Sequence, residues 1–141
     1  MTLLSIKNVG KAFGGLSALR GVSFEMKEGE IVGIMGANGA GKTTLFSLIG
    51  GHERPSSGEI VFAGRNIAGL RPHQVCRLGI ARTFQIVQPF AGLTVAANVA
   101  TAALYGAEPA ASSEAANARA AEVLALVGLA DRARDLAEDL T

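Results

Sequence analysis

The stretch Gly36–Thr44, with the sequence GANGAGKTT, contains residue types that bind phosphate groups. Gly36 and Gly41 are separated by four residues and are followed by Lys42 and Thr43, which matches the pattern G-x-x-x-x-G-K-[ST]. Even in a chain with 18 glycines, a coincidental match has a chance of about one per cent, because average glycine usage is about 7%. We therefore predict a phosphate-binding loop here, called the phosphate loop below.

The glycines of the phosphate loop have an expected backbone role. Gly36, Gly39 and Gly41 allow the chain to curl with its N–H groups pointing inward, where larger side chains would block the approach of phosphate. The loop residues that we expect to contact the nucleotide are Gly36, Asn38, Gly39, Ala40 and Gly41.

The residues that follow the loop add charge and a metal ligand. A helix starting at Lys42 directs the partial positive charge of its N-terminus at the phosphates. Lys42 adds a full charge for the β- and γ-phosphates, and the Thr43 hydroxyl can ligate Mg²⁺. Thr44 is placed to donate to the α-phosphate region. The predicted ligand of the loop is therefore a nucleoside triphosphate with Mg²⁺.

The segments on either side of the loop support a nucleoside triphosphate site. The apolar run IVGIM, residues 31–35, predicts a strand buried on both faces. Lys42–Ile49 predicts a helix closed by Gly50 and Gly51. A glycine-rich turn with a coincidental Lys-Thr pair is the alternative interpretation. A dinucleotide-binding fingerprint is excluded, because the loop does not contain G-x-G-x-x-G.

Before residue 85 the chain reads as a mixed β/α lobe. LLSIKNVGKAF and ALRGVSFEM predict two strands of a hairpin-like pair, and EIVFAG predicts another strand. Pro72 suits the first position of a short helix to about Leu78. GIARTF, residues 79–84, predicts a further strand.

After Gln85–Pro89 the pattern becomes helical. LTVAANVATAALYG and SEAANARAAEVLALVG predict two Ala-rich helices, the second ending at Gly128. The apolar face predicted for this second helix consists of Ala120, Val123, Leu124 and Val127. We predict an α/β fold with two parts, a phosphate-binding lobe at residues 1–85 and a helical part at residues 86–141.

Charge limits the other function classes. Residues 1–107 carry ten basic and five acidic residues, a net of +5, whereas residues 108–141 carry three and seven, a net of −4. A mildly basic lobe suits an anionic ligand. No stripe of Lys and Arg with interleaved aromatic residues is present, so nucleic acid is not an expected ligand. Cys76 is the single cysteine, which fits a reducing compartment.

No membrane span, signal peptide or zinc site is predicted. Thr83–Ala107 contains no charged residue, but a span needs about 20 predominantly apolar residues, and this run is too polar. We interpret it as buried or interfacial. His52 and His73 have no ligand partners at metal-binding spacing.

Three segments together indicate a family. GANGAGKTT, then PSSGEIVFAGRNI and then RTFQ resemble, in order and spacing, the first half of an ATP-binding-cassette (ABC) ATPase domain. GIARTFQIVQPFAGLTVAANV is most similar to ATP-binding subunits of branched-chain amino-acid importers. The resemblance implies a P-loop NTPase fold, with the N-terminal lobe and the start of the helical subdomain. It also implies ATP hydrolysis coupled to solute uptake, at the cytoplasmic face of the cell membrane.

The resemblance assigns roles to two residues outside the loop. Phe13, in KAFGG, matches the aromatic residue that stacks on adenine, although an ordinary strand aromatic remains the alternative. Gln85 matches the glutamine that contacts Mg²⁺ and the attacking water, so Lys42 and Gln85 are the expected catalytic residues. The expected partners are a membrane permease, contacted through the helical part, and a second ATP-binding subunit.

The family's catalytic Glu, its signature helix and its switch His are not reached. EDLT ends at Leu140 and Thr141, the first two signature positions. We therefore expect the parent domain to be an ATPase and the 141-residue chain to bind nucleotide without turnover, with IVGIM left unpaired and the chain prone to self-association. A P-loop phosphotransferase and a module that only binds ATP remain the alternatives.

Overall fold

The computed structural model describes residues 1–140. Thr141, the second predicted signature position, lies outside the described residues. The elements in chain order are β1 Thr2–Phe13, β2 Leu16–Lys27, α1 Lys42–Ile49, β3 Ser57–Phe62, β4 Arg65–Asn66, α2 Pro72–Arg77, α3 Val95–Tyr105 and α4 Ser113–Leu126, followed by two short 3₁₀ turns, Ala130–Arg132 and Ala137–Asp139. Packing divides the described residues into two compact units, Met1–Val75 and the remainder from Cys76. The lobe boundary near residue 85 stays a prediction.

The first unit is built on an antiparallel sheet with the strand order β2-β1-β3-β4. Ile6 of β1 lies opposite Phe24 of β2 and Ile60 of β3, so apolar side chains face one another across the central strands. Leu45 and Leu48 of α1 are also buried, as are Ile6 and Ile60. The predicted strand pair, the strand EIVFAG and the helices at Lys42 and Pro72 are confirmed.

Two predicted strands are not formed. Residues 31–35 and residues 79–84 lie outside the helices and strands of the described chain. A strand persists only where its N–H and C=O groups pair with a neighbour, and no strand within residues 1–140 pairs with either run. The predictions of strands here are therefore wrong. The prediction that residues 31–35 are buried on both faces is also wrong. The expectation of uncovered Ile and Val side chains is confirmed, since Ile31 and Val32 are 100% and 43% exposed.

The second unit contains a helical hairpin with a core of small side chains. Ala100 of α3 and Ala116 and Ala120 of α4 are buried in one cluster. The partly buried side chains around this cluster are Val99, Ala103, Leu104 and Ala110. The distance between packed helices depends on the side chains at the contact, so alanine at these positions allows the helices to pack closely. Both predicted Ala-rich helices are confirmed.

The buried face of α4 is narrower than predicted. Leu124 and Ala120 are buried as expected, but Val123 and Val127 are 41% and 58% exposed, so their placement on the buried face was wrong. The buried stripe contains Ala116, Ala120 and Leu124, which are spaced four residues apart. Only this stripe of α4 is covered by its neighbours, and the flanking valines point away from it.

A glycine ends α4 as predicted. Gly128 adopts a positive φ of 73°. Its N–H donates to the Ala125 carbonyl at 3.2 Å, and the Leu129 N–H donates to the Leu124 carbonyl at 2.8 Å. This pair of bonds is the Schellman motif, which satisfies the last carbonyls of a helix. Within residues 1–140 no helix is long and apolar enough to cross a membrane.

Candidate nucleotide-binding site

Helix α1 begins without any side-chain cap. Its N-cap is Gly41, which adopts a left-handed conformation with φ 90° and has no side chain to accept a bond. The N–H groups of Lys42, Thr43 and Thr44, in the first turn, have no acceptor within the helix. That turn contains no acidic residue. The start of α1 therefore presents backbone donors and the positive end of the helix dipole to an outside anion.

The loop before α1 is held in a tight curl. The Ala40 N–H donates to the Ala37 carbonyl at 3.1 Å, and Gly39 adopts a φ of 82°. A Cβ atom at Gly36 would lie 3.1 Å from the Ala40 Cβ. Larger residues at these glycines would therefore open the curl that directs the N–H groups inward.

Close packing against β2 is a second reason for glycine at position 41, and the sequence pattern does not show it. A Cβ atom there would lie 2.6 Å from both the Ala18 carbonyl oxygen and the Leu19 Cδ2 atom of β2. The missing side chain therefore makes room for β2, in addition to allowing the positive φ. This contact fixes the phosphate loop against the sheet.

Lys42 folds back across the loop that precedes it. Its Nζ atom donates to the Gly36 carbonyl at 2.5 Å and to the Ala37 carbonyl at 2.7 Å. Carbonyl oxygens satisfy only part of the charge of an ammonium group, which forms stronger bonds with anionic oxygens. The ammonium group is thus already positioned within the loop where phosphate oxygens would take over its bonds.

The metal-binding capacity of the site rests on Thr43. Its side chain is exposed at the helix start, so its hydroxyl is accessible to a cation. The described residues contain no group of three or more His, Cys, Asp or Glu side chains that could hold a metal ion. Mg²⁺ keeps several waters and commonly binds one or two protein groups together with substrate phosphates. The residues present therefore fit Mg²⁺ that arrives with a nucleotide.

Phe13 lies at the end of β1, next to the hairpin loop. It pairs with Leu16 of β2 and is 45% exposed. Ala18 lies two residues beyond Leu16, and its carbonyl oxygen is one of the atoms that a side chain at Gly41 would meet. The same strand pair therefore carries both the exposed aromatic ring and the contact with the phosphate loop.

Comparison with known proteins identifies the family. The family model described as ABC transporter matches residues 19–141. The chain belongs to the ABC transporter family. The resemblance of its motifs to this family is thereby confirmed.

Among curated ABC proteins, two relatives of the LivG type are similar to the chain. One is the probable branched-chain amino acid transport ATP-binding protein LivG of Archaeoglobus fulgidus, 41% identical over 99 residues that cover 70% of this chain and 38% of the relative. The other is the high-affinity LivG of Salmonella typhimurium, 43% identical over 100 residues that cover 71% and 39%. The chain thus aligns with less than half of each relative.

Solved ABC cassettes match the fold. The ATP-binding cassette MJ1267 has a TM-score of 0.85 and 29% identity, and the match covers 100% of this chain and 60% of that one. The dimeric cassette MJ0796, in a post-hydrolysis state bound to ADP and Pi, has a TM-score of 0.82 and 28% identity over 99% and 63%. The predicted α/β fold of an ABC ATPase domain is therefore confirmed.

Gln85 of this ABC family member lies in the second unit. It is exposed and belongs to the stretch before α3 that contains neither helix nor strand. The phosphate loop and Phe13 belong to the first unit. The roles of Gln85 in contacting Mg²⁺ and water therefore stay predictions from the resemblance.

Two residues near Phe13 were missed at the level of sequence. Lys11 places its Nζ atom 4.7 Å from the centroid of the Phe13 ring, and Glu53 holds that ammonium group at 2.8 Å. The spacing of Lys11 and Phe13, two residues apart on a strand, does indicate that they share a face. No sequence signal links Lys11 to Glu53, because the contact spans 42 residues.

Proposed function

We propose that this chain is the ATP-binding part of an ABC importer that couples ATP binding and hydrolysis to solute uptake. The observation that carries the proposal is the uncapped start of α1, with free first-turn N–H groups and Lys42 folded into the loop. That arrangement suits a polyphosphate. The LivG relatives are named for branched-chain amino-acid transport, which favours that class of solute.

Relatives similar to this chain are named for more than one class of solute. The xylose/arabinose import ATP-binding protein XylG of Sulfolobus acidocaldarius is also 43% identical, over 83 residues that cover 59% of this chain and 33% of the relative. Sugar and amino-acid importers therefore share this part of the sequence. Branched-chain amino acids are favoured because the LivG matches extend over more of the chain.

Within the site, each group acts on a different part of Mg-ATP. The N–H groups of the loop and of the first turn of α1 bind phosphate oxygens, and Lys42 neutralises the β- and γ-phosphates. Thr43 would ligate Mg²⁺, and Thr44 would donate near the α-phosphate. Bound Mg²⁺ would supply positive charge that neutralises the phosphates. Phe13 stacks on adenine, and Gln85 orients the attacking water.

An exposed apolar patch before α3 suits a membrane permease subunit. Its members are Phe84, Ile86, Val87, Phe90 and Leu93, whose exposure ranges from 42% to 78%. No charged residue lies between Thr83 and Ala107, so the patch fits an apolar cytoplasmic segment of the permease. We propose that the protein acts at the inner face of the cell membrane. A cross-link from Val87→Cys to a co-expressed permease subunit of a branched-chain amino-acid importer is the expected result, and its absence would contradict this partner.

Asn98 gives the patch a defined shape. Its Oδ1 atom accepts from the Phe90 N–H at 2.9 Å, and its Nδ2 atom donates to the carbonyls of Phe90 and Thr94 at 3.1 and 3.0 Å. One side chain therefore fixes the stretch that leads into α3. The partner of the nucleotide site itself is a second ATP-binding subunit, in line with the dimer described for MJ0796.

The 141-residue chain is proposed to bind Mg-ATP without repeated turnover. A group that orients or deprotonates water is needed for phosphoryl transfer to water. Neither the phosphate loop nor residues 60–107 contain an Asp or Glu. The same lack of an acidic base makes a phosphotransferase the weaker alternative. Phosphate release at saturating Mg-ATP should not exceed that of the Lys42→Ala variant, and repeated turnover that Lys42→Ala abolishes would contradict this.

Displacement of a fluorescent ATP analogue tests nucleotide binding. Lys42→Ala should weaken binding of Mg-ATP and Mg-ADP by about 10- to 100-fold, because a bond to a charged group contributes about 1.5–3 kcal/mol. Lys7→Ala, which removes an exposed lysine of β1, is the matched control and should bind like the wild type. Equal affinity of the wild type and Lys42→Ala would refute the assignment of the site.

A further inference from the structure

Lys11 is held more firmly than its neighbours on the surface. Its side chain is 12% exposed, and its Nζ atom lies 2.8 Å from Glu53 Oε2. The same atom donates to the Arg54 carbonyl at 2.9 Å. Two acceptors, one of them in a short ion pair, therefore fix the ammonium group in one position.

The fixed ammonium group lies over an aromatic ring. The Lys11 Nζ atom is 4.7 Å from the centroid of the Phe13 ring, within the distance at which a cation is attracted to the face of an aromatic ring. One face of the ring is thereby occupied. Phe13 is still 45% exposed, which leaves surface of the side chain accessible to a flat ligand.

The anchor of Lys11 is connected to the helix that carries the phosphate loop. The N–H groups of His52 and Glu53 donate to the Ser47 carbonyl of α1 at 2.9 and 3.1 Å. Helix α1 is therefore linked at its C-terminal end to Glu53 and through Lys11 to Phe13. At its N-terminal end it continues from the phosphate loop. The Phe13 ring and the phosphate loop are thus both connected to α1.

We propose that Lys11, held by Glu53, is a positioning residue for base binding: it holds the Phe13 ring so that its free face receives the adenine of a nucleotide on the phosphate loop. This inference rests on the proposed nucleotide-binding function. Lys11 does not contact phosphate in this arrangement, because its ammonium group is committed to Glu53 and Arg54. Its effect should therefore appear only for ligands that carry a base.

The test compares ATP with inorganic triphosphate, which lacks a base. Lys11→Met removes the charge and keeps a long side chain. It should weaken ATP binding about fivefold or more, which is the lower end expected for loss of base–aromatic stacking. Its affinity for triphosphate should stay within about twofold of the wild type. Lys11→Arg should restore ATP binding, since arginine also pairs with carboxylates and stacks on aromatic faces.

Two further variants distinguish positioning from a structural role. Glu53→Gln should likewise weaken the binding of ATP but not that of triphosphate. This variant tests the same contact if Lys11→Met does not fold. The double variant Lys11→Met/Phe13→Leu should bind ATP no more weakly than Phe13→Leu alone, because both changes remove the same interaction. Additive losses, or equal losses for ATP and triphosphate, would overturn the inference.

The same measurements give a different result if the proposed nucleotide-binding function is wrong. If the wild type does not bind triphosphate, or if Lys42→Ala leaves triphosphate affinity unchanged, the phosphate site itself is wrong. A phosphate site that responds to Lys42→Ala, together with ATP binding that does not respond to Lys11→Met or Glu53→Gln, would overturn only the role of Lys11.

Discussion

Helix α1 and the two long helices of the second unit begin in opposite ways. Thr94 caps α3 by accepting the Ala97 N–H on its hydroxyl at 3.1 Å, and Ser112 caps α4 by accepting the Ala115 N–H at 3.1 Å. Gly41 at the start of α1 has no such group. Every helix leaves its first N–H groups without an intrahelical partner. A hydroxyl before the helix satisfies one of these donors internally, whereas glycine leaves them to a ligand.

The starts of these helices also differ in backbone conformation and in charge. Thr94 and Ser112 have extended conformations, with ψ values of 160° and 166°, whereas Gly41 is left-handed. The first turn of α4 contains Glu114, which already interacts favourably with the helix dipole. The first residue of α1 is Lys42, whose charge has the opposite sign. A phosphate site at a helix start therefore needs three features together: an uncapped start, a curled loop and a lysine.

The largest expected effect comes from giving α1 a capping residue. Gly41→Ser should lower the free energy of unfolding by about 3 kcal/mol, because it adds left-handed strain and a steric clash. Its Cβ atom would lie 2.6 Å from the Ala18 carbonyl. ATP affinity should fall by at least about 100-fold, since several bonds to phosphate are lost. Thermal unfolding and ATP titration measure the two effects.

Gly15→Ser is the matched control for Gly41→Ser. Nothing among the described residues lies within 4 Å of a Cβ atom at Gly15, and its φ is not in the left-handed region. This variant should keep the stability and the ATP affinity of the wild type. Normal ATP binding by Gly41→Ser would mean that the close contact with β2 does not shape the site.

A smaller effect is expected from removing the cap of α3. Thr94→Ala should lower the free energy of unfolding by about 1 kcal/mol, since the Ala97 N–H loses its acceptor. Urea unfolding measures this loss. ATP affinity should not change, because this cap has a structural role. A parallel loss of ATP affinity at temperatures where the variant remains folded would contradict the distinction between the helix starts.

The smallest effect is expected from making α4 resemble α1. Ser112→Gly should cost only a few tenths of a kcal/mol. It should not create a second phosphate site, because the start of α4 has neither a curled glycine loop nor a lysine, and Glu114 repels anions. Titration with inorganic triphosphate should still show one site per chain. A second site would mean that an uncapped helix start is sufficient.

Local chemistry explains which features could be predicted from sequence. The phosphate loop and the helix starting at Lys42 depend on residues close together in the chain, so their pattern was informative. The end of α4 at Gly128 is similarly local. The conformation of residues 31–35 could not be predicted correctly, because strand pairing depends on distant neighbours, and composition shows only that the run is apolar.

Long-range packing explains the features that sequence reasoning missed. Val123 and Val127 have helical periodicity, but which part of that face is covered depends on where α4 meets its neighbours. The second role of Gly41 depends on the position of β2. The anchoring of Lys11 depends on Glu53, which is distant in sequence. Each of these requires the fold to be known first.

Backbone amide NMR during titration with Mg-ADP shows which helix start binds phosphate. We expect ligand phosphate to bind the donors at the start of α1 and not those at the starts of α3 and α4. The N–H resonances of Gly39 and of residues 41–44 should shift in a saturable way, while those of residues 95–97 and 113–115 should not. In Lys42→Ala the same shifts should require at least about tenfold more ligand. Saturable shifts of similar size at the starts of α3 or α4, or no shifts at α1, would contradict the account.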